Sequence, residues 1–300
     1  MSDLPSSFGK EIPNEPPLSS FPPPIVAGTR KTEAQFLEEL RVLQTNFLFL
    51  FGDSQSGKSA ICASLIYYMM THPDIGKFTD RVQHSDSGPD FIRRAIGKIS
   101  QKRFLERTPG ETVTLAGGRF EPTDKRFPST PITFREMAGE ELRNLVAPTG
   151  VQSFPQHIDV FLNEKDLNLL FVLVIRHSTV SHEKDLMLVD FIDYLRRKDA
   201  RFVTSNILLL ISQWDTYSGD MTTEEFVKTF LPLTYAALSH RDSAITTYSV
   251  GEVSVVDGEP YISKLDSESP ARLIRWIYKS VTGDDLMRPS MFARFLRLIK

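Results

Sequence analysis

Residues 47 to 59 read Phe-Leu-Phe-Leu-Phe-Gly-Asp-Ser-Gln-Ser-Gly-Lys-Ser: an apolar run, a glycine-bounded turn, and the start of a helical pattern. The run Phe47 to Phe51 suits a buried strand, and the apolar stretch from Ala60 to Met70 suits a helix. Between them the spacing Gly52-x4-Gly57-Lys58-Ser59 is that of a phosphate loop, whose backbone N–H groups surround phosphates at a helix N-terminus. The candidate ligand-binding residues are therefore Gly52, Asp53, Ser54, Gln55, Ser56, Gly57, Lys58, Ser59 and Ala60. In that pattern Lys58 reaches the β- and γ-phosphates and the Ser59 hydroxyl ligates Mg²⁺. A bare glycine-serine turn would require neither the strand before it nor the helix after it.

The rest of the composition bounds what such a loop can serve. Three hundred residues with 41% hydrophobic content can bury a sizeable α/β core. A formal charge of −3 gives no general attraction to nucleic acid or to anionic membranes, so anion binding has to be local. The one cysteine, Cys62, falls on the first helix among apolar residues and reads as core rather than nucleophile. No run of eighteen apolar residues occurs, and the first residues have neither a basic start nor an apolar core, so a cytoplasmic location is expected. The histidines are scattered, without His-x3-His or Cys-x2-Cys spacing, and zinc is not indicated.

Taken in order, residues 1–29 carry seven prolines and several serines, a composition expected to stay disordered as an arm. The main domain is expected over 30–285, opening at a capping-box pattern of Thr32 and Gln35, and a short amphipathic basic helix over 286–300. After the first helix, a helical insertion is expected at about 74–107, with Phe91, Ile92, Ala95, Ile96 and Ile99 on one face. Strands are expected at Thr112–Leu115, Pro131–Arg135, Leu167–Ile175, Asn206–Ile211 and Ala244–Val250. Helices are expected at Lys184–Arg197, from Thr222 to about Leu238, and at Ser267–Val281. Strands alternating with helices predict an α/β fold of three layers: a mostly parallel six-stranded sheet with helices on both faces.

Open parallel sheets bind ligands at the carboxyl ends of their strands. Past three of the expected strands stand Glu136-Met137-Ala138-Gly139-Glu140, Ser212-Gln213-Trp214-Asp215 and Tyr248-Ser249-Val250-Gly251. With the phosphate loop first, this order resembles the Ras-like, translation-factor-related P-loop GTPases, in which strands end in Asp-x-x-Gly, in Asn/Thr-Lys/Gln-x-Asp and in Ser-Ala-Lys. GTPases of bacterial regulatory or defence loci are similar in the same way.

The resemblance implies GTP and GDP as ligands with Mg²⁺. Ser212, Gln213 and Asp215 would read the guanine, Ser249 and Val250 would flank it, and the Gly139 N–H would sense the γ-phosphate. Glu136 stands where the family has the aspartate that holds Mg²⁺ through water, one methylene longer. Glu140 stands where many members have a water-orienting glutamine; an ionised carboxylate accepts hydrogen bonds but donates none, so hydrolysis is expected to be slow. Thr108, or else Thr112, would close over Mg²⁺. Arg107 and Arg103 fall where the α-subunits of heterotrimeric G proteins supply an arginine in cis, against which stands a solvated basic helix end.

The function expected is a slow GTPase acting as a nucleotide-controlled switch. Effector or regulator proteins would meet residues 108–150 and the proline-rich arm; membrane contact would be confined to the C-terminal helix, and no nucleic acid is indicated. Two rivals remain: an ATP-using P-loop NTPase, for which a Walker-B aspartate after four apolar residues is not seen, and a nucleotide-binding scaffold without turnover, which Glu140 allows.

Overall fold

The computed structural model describes residues 44–79, 88–105, 115–136, 156–164, 166–198, 207–239, 245–256 and 258–287. In chain order these form β1 (Asn46–Gly52), α1 (Lys58–Thr71), β2 (Gly76–Thr79), α2 (Gly88–Ser100), β3 (Leu115–Pro122), β4 (Thr130–Glu136), α3 (Gln156–Asn163) and β5 (Asn168–Arg176). There follow α4 (His182–Lys198), β6 (Ile207–Ser212), α5 (Thr223–Phe230), α6 (Pro232–Leu238), β7 (Ile245–Tyr248), β8 (Gly251–Val256), β9 (Glu259–Leu265) and α7 (Glu268–Thr282). The expected arm over 1–29, the helix opening at Thr32 and the basic helix over 286–300 lie outside the described residues, the last from residue 288 onward.

A seven-stranded sheet runs β2-β3-β4-β1-β5-β6-β7. The five strands from β4 to β7 are mutually parallel, while β3 is antiparallel to both β4 and β2. Strand β1 explains why the sheet is covered on both faces. Its alternating Phe-Leu-Phe-Leu-Phe sends Phe47, Phe49 and Phe51 to a layer with Phe161 of α3, Phe191 of α4 and Phe226 of α5. Leu48 and Leu50 face the opposite layer with Ile61 and Leu65 of α1, Ile92 of α2 and Ile274 of α7. All five β1 side chains from Phe47 to Phe51 are fully buried, the mark of a central strand.

The sheet has seven strands where the sequence predicts six. The addition, β2, is only Gly76-Lys77-Phe78-Thr79, and it lies at the start of the stretch read as a helical insertion. The insertion keeps one helix, α2, but a strand precedes it. Of the second expected strand, Thr112–Leu115, only Leu115 is described; β3 begins there and runs on through Gly117-Gly118 to Pro122. Gly118 is used there for close approach, since a Cβ would stand 2.5 Å from the Phe78 ring of β2. Residues Thr112 to Thr114 lie outside the described residues.

The helix read from Thr222 to Leu238 is two helices. The first opens on a capping box, with Thr222 Oγ1 accepting from Glu225 N–H and the Glu225 carboxylate accepting from Thr222 N–H. It stops at Leu231 because Pro232 has no N–H to donate to the preceding turn. The second starts under a carboxylate brought from α4: buried Asp185 accepts from Leu233 N–H at 2.9 Å and Thr234 N–H at 2.8 Å. Helix α3 and the hairpin β8–β9 have no counterpart in the sequence reading; the hairpin forms a separate two-stranded sheet.

Candidate functional site

Parallel pairing aligns the carboxyl ends of five strands on one rim. Gly52 of β1 lies opposite Val174 of β5, Ser212 of β6 opposite Arg176 of β5 and Tyr248 of β7, and Glu136 of β4 opposite Leu50. The loop over 53–57 rises from this rim into α1 and is held by local bonds. Ser54 N–H donates to Asp53 Oδ1 at 2.8 Å, Ser56 N–H to the Asp53 carbonyl at 3.2 Å, and Ile61 N–H to the Gly57 carbonyl at 2.9 Å.

Two glycines are required by this geometry. A Cβ on Gly52 would stand 2.2 Å from the Val174 carbonyl oxygen and 2.7 Å from Ser56 Oγ, and Gly57 holds a φ of 92°. Gln55, at φ 65°, also takes the left-handed conformation, which curls the loop. Buried Lys58 folds back so that Nζ donates to the carbonyls of Gly52 and Asp53, both at 2.9 Å. An ammonium in this place has its stem fixed by the loop it serves. Ser59 and Ala60 occupy the first turn of α1, partly buried.

The end of β6 is bonded to the loop. Ser212 is 2% exposed, and its hydroxyl donates to the Ser56 carbonyl at 2.6 Å. Gln213 then turns through a left-handed φ of 57° into a short 3₁₀ turn, Trp214–Thr216, which places Asp215 on the exposed side. Asp215 N–H donates to Ser249 Oγ at 3.0 Å, so the residues after β6 and after β7 are joined. Ser249 N–H in turn donates to Ser269 Oγ at the start of α7, and Asp266 N–H to the Val250 carbonyl. The sequence candidates 52–60, 212–215 and 249–250 thus form one hydrogen-bonded rim.

Beneath Asp215 lies an aromatic footing. Trp214 stacks on Tyr217 at 4.5 Å between centroids and meets the Phe226 ring edge-on at 5.3 Å. His177, in the 3₁₀ turn His177–Thr179 after β5, pairs its Nε2 with Thr216 Oγ1 at 2.7 Å. Burial holds the His177 imidazole below its ordinary pKa, the Arg176 guanidinium pushes the same way, and Asp215 opposes them.

Four candidates from the sequence, Arg107, Thr108, Gly139 and Glu140, fall outside the described residues, as does Thr112. Arg103 is described, in an isolated bridge to Tyr261 of β9. Glu136 is the last residue of β4, with its backbone on the site rim. Its neighbour Arg135 is 1% exposed, the guanidinium 4.5 Å from the Phe161 ring centroid and 5.6 Å from that of Phe49.

Two features of the site were missed in the sequence. Lys184, in the first turn of α4, places Nζ 3.0 Å from Asp53 Oδ2. A lysine there opposes the helix dipole, the one local sign that an anion had to be near. The second is the hairpin. Leaving the rim at Gly251, it returns to the end of α2, where Ile262 N–H donates to the Lys102 carbonyl at 2.9 Å and Lys102 Nζ to the Ser263 carbonyl at 3.2 Å. The Asp257-Gly258 dipeptide between the apolar residues Val253, Val255 and Val256 on one side and Tyr261 and Ile262 on the other was its signal in the sequence.

No protein-family model matches the chain, and no curated protein sequence matches it. Among solved structures, the chain is similar to Toc33 from Arabidopsis thaliana in complex with GDP and Mg²⁺, at 14% identity over 84% of this chain and 91% of that one, with a TM-score of 0.45. It is also similar to the signal recognition particle receptor SRb-GTP/SRX complex from Chaetomium thermophilum, at 13% identity over 78% and 98% of the two chains, with a TM-score of 0.40. A probable GTP-binding protein, engB, is 12% identical over 79% and 99%, with a TM-score of 0.37.

Proposed function

We propose that this chain binds GTP and GDP with Mg²⁺, hydrolyses GTP slowly, and acts as a nucleotide-controlled switch for protein partners. The observation that carries the reading is the bond from Ser212 Oγ to the Ser56 carbonyl, because it joins the phosphate loop to the segment bearing Asp215. A phosphate cradle after β1 and a carboxylate after β6, with β5 between the two strands, suit one ligand that has phosphates at one end and a base with paired donors at the other.

In this reading Lys58 and the N–H groups of residues 53–60 hold the phosphates, and Asp215 accepts both N1–H and N2–H of guanine. The loop fits phosphate on its own geometry: two required glycines, a buried lysine ammonium and a helix start. Ser59, at that helix start, and Glu136, at the end of β4, are the residues that would hold Mg²⁺, with Thr108 completing the set. Bound there, the metal would neutralise negative charge on the phosphates. Gly139 is assigned to the γ-phosphate, Arg107 to charge developing in transfer, and Glu140 to a poor orientation of water that keeps turnover slow. Partners would read nucleotide state at residues 108–150, with the proline-rich arm as a second contact.

The test is to denature the purified protein and identify the released nucleotide, then to titrate GTP, GDP and ATP and follow phosphate release. Guanine nucleotide, GTP preferred over ATP by a large factor and a slow Mg²⁺-dependent release are expected. Lys58→Ala should abolish binding, since Nζ sits in the loop and donates to the Gly52 and Asp53 carbonyls; a thermal melt of the variant checks that it is folded. Retained GTP binding in that variant, or a preference for ATP, would refute the reading.

A further inference from the structure

The phosphate loop carries an anion of its own. Asp53 is the first residue of the loop, and its carbonyl is one of the two that Lys58 Nζ engages. A carboxylate so close to a polyphosphate site works against the ligand it would surround. Across from it stands Lys184, with Nζ 3.0 Å from Asp53 Oδ2 and both side chains 20% exposed. Surface ion pairs of this chain, such as Arg93–Asp90 at 76% and 64%, are far more open to water. A withdrawn pair forfeits more hydration than an exposed one, and it is screened less by salt.

Lys184 is also awkward where it stands. The first turn of α4 favours anions and holds two, Glu183 and Asp185, between which the lysine lies. Its chain position is set by β5, whose Val174 lies opposite Gly52, so that the turn after β5 delivers the start of α4 to the flank of the phosphate loop. Local helix preference does not account for a cation there; the Asp53 carboxylate does.

We propose that Lys184 is a positioning residue of the phosphate site, cancelling the Asp53 charge and thereby setting the affinity of the loop for the triphosphate. This rests on the nucleotide-binding reading above. The pair contributes net zero charge in the native chain, −1 in Lys184→Met, +1 in Asp53→Asn, and zero again in the double variant. Affinity for GTP therefore follows charge rather than the number of native contacts: Asp53→Asn tightest, native and double variant alike, Lys184→Met weakest. A triphosphate carries more charge than a diphosphate, so the spread is wider for GTP than for GDP.

The experiment is calorimetric or fluorescence titration of GTP and GDP into the full chain and the three variants, at low and high salt, with the thermal midpoint of each protein measured without added nucleotide. Lys184→Met should weaken GTP on the order of tenfold. The double variant should recover to near the native value, and the spread should shrink at high salt. A purely structural salt bridge gives a different pattern, with both single variants and the double weakened alike and in step with their thermal midpoints, and that result overturns the proposal. Lys184→Met binding GTP within twofold of the native protein also overturns it. Should the native chain itself bind no nucleotide, both this proposal and the functional reading fall; native binding with an unperturbed Lys184→Met removes this proposal alone.

Discussion

Ser212→Ala tests whether the phosphate loop and the base-reading segment are one unit. The hydroxyl lies in a site 2% exposed and donates to the Ser56 carbonyl at 2.6 Å, with a second, longer approach of 3.4 Å to the Ile175 carbonyl. Alanine removes only the oxygen, so cavity and packing effects are small. Losing one buried donor costs roughly 1–3 kcal/mol. For a domain near this size each kcal/mol shifts the thermal midpoint by about 2–4 °C, so a drop of about 2–12 °C is expected. The carbonyl released belongs to the loop whose N–H groups face the phosphates, so part of the loss should appear in binding. One to two kcal/mol there weakens GTP about five- to thirtyfold. Thermal melts and GTP titration on one preparation read both. A lowered midpoint with unchanged affinity would mean the bond merely braces the sheet. No change in either would mean that it is not made.

Asp215→Asn should lose GTP and gain XTP: xanthine carries an oxygen where guanine has its N2 amine, and the asparagine amide can donate to it while its carbonyl accepts from N1–H. Competition among GTP, XTP and ATP decides this, with discrimination of roughly 10⁴ expected for a site built on such bonds. Gly52→Ala drives a methyl to within 2.2 Å of the Val174 carbonyl, and should cost at least about 1–3 kcal/mol of stability and displace the loop, read by melting and by loss of GTP binding. His177 gives a pH signature. Its folded pKa lies below the ordinary 6.5, so the unfolded chain takes up the proton first, and stability present above that pH is lost as pH falls from 6.5 toward the folded value. Denaturant melts should show a steeper acid loss in the native chain than in His177→Asn; equal slopes would refute the assignment.

What could be read from the sequence follows from how local each cause was. β1, β5 and β6 were legible because a strand buried on both faces is a continuous apolar run, and α5 because its capping box spans only four residues. β2 was not legible: with Gly76, Lys77 and Thr79 it has one large apolar residue, Phe78, whose ring packs edge-on against Phe134 and close over Gly118 of β3. The break at Pro232 was legible in principle, since proline ends a helix, but the reason a new helix starts at once is Asp185, far earlier in the chain.

The site divides in the same way. The loop could be read from spacing alone because all of its requirements, two glycines, a lysine and a helix start, fall within a few residues. Asp215 and Ser249 were readable as residues just past strands, but not as partners; their bond depends on β6 and β7 being neighbours in register, with Ser212 opposite Tyr248. Ser212 was expected among the guanine readers; its bond to the Ser56 carbonyl of the phosphate loop could not be read from the sequence. Lys184 had no motif at all. Its meaning came only when the parallel pairing of β5 with β1 placed the start of α4 beside Asp53, which turned a lysine misplaced by helix rules into the counter-charge of the phosphate loop.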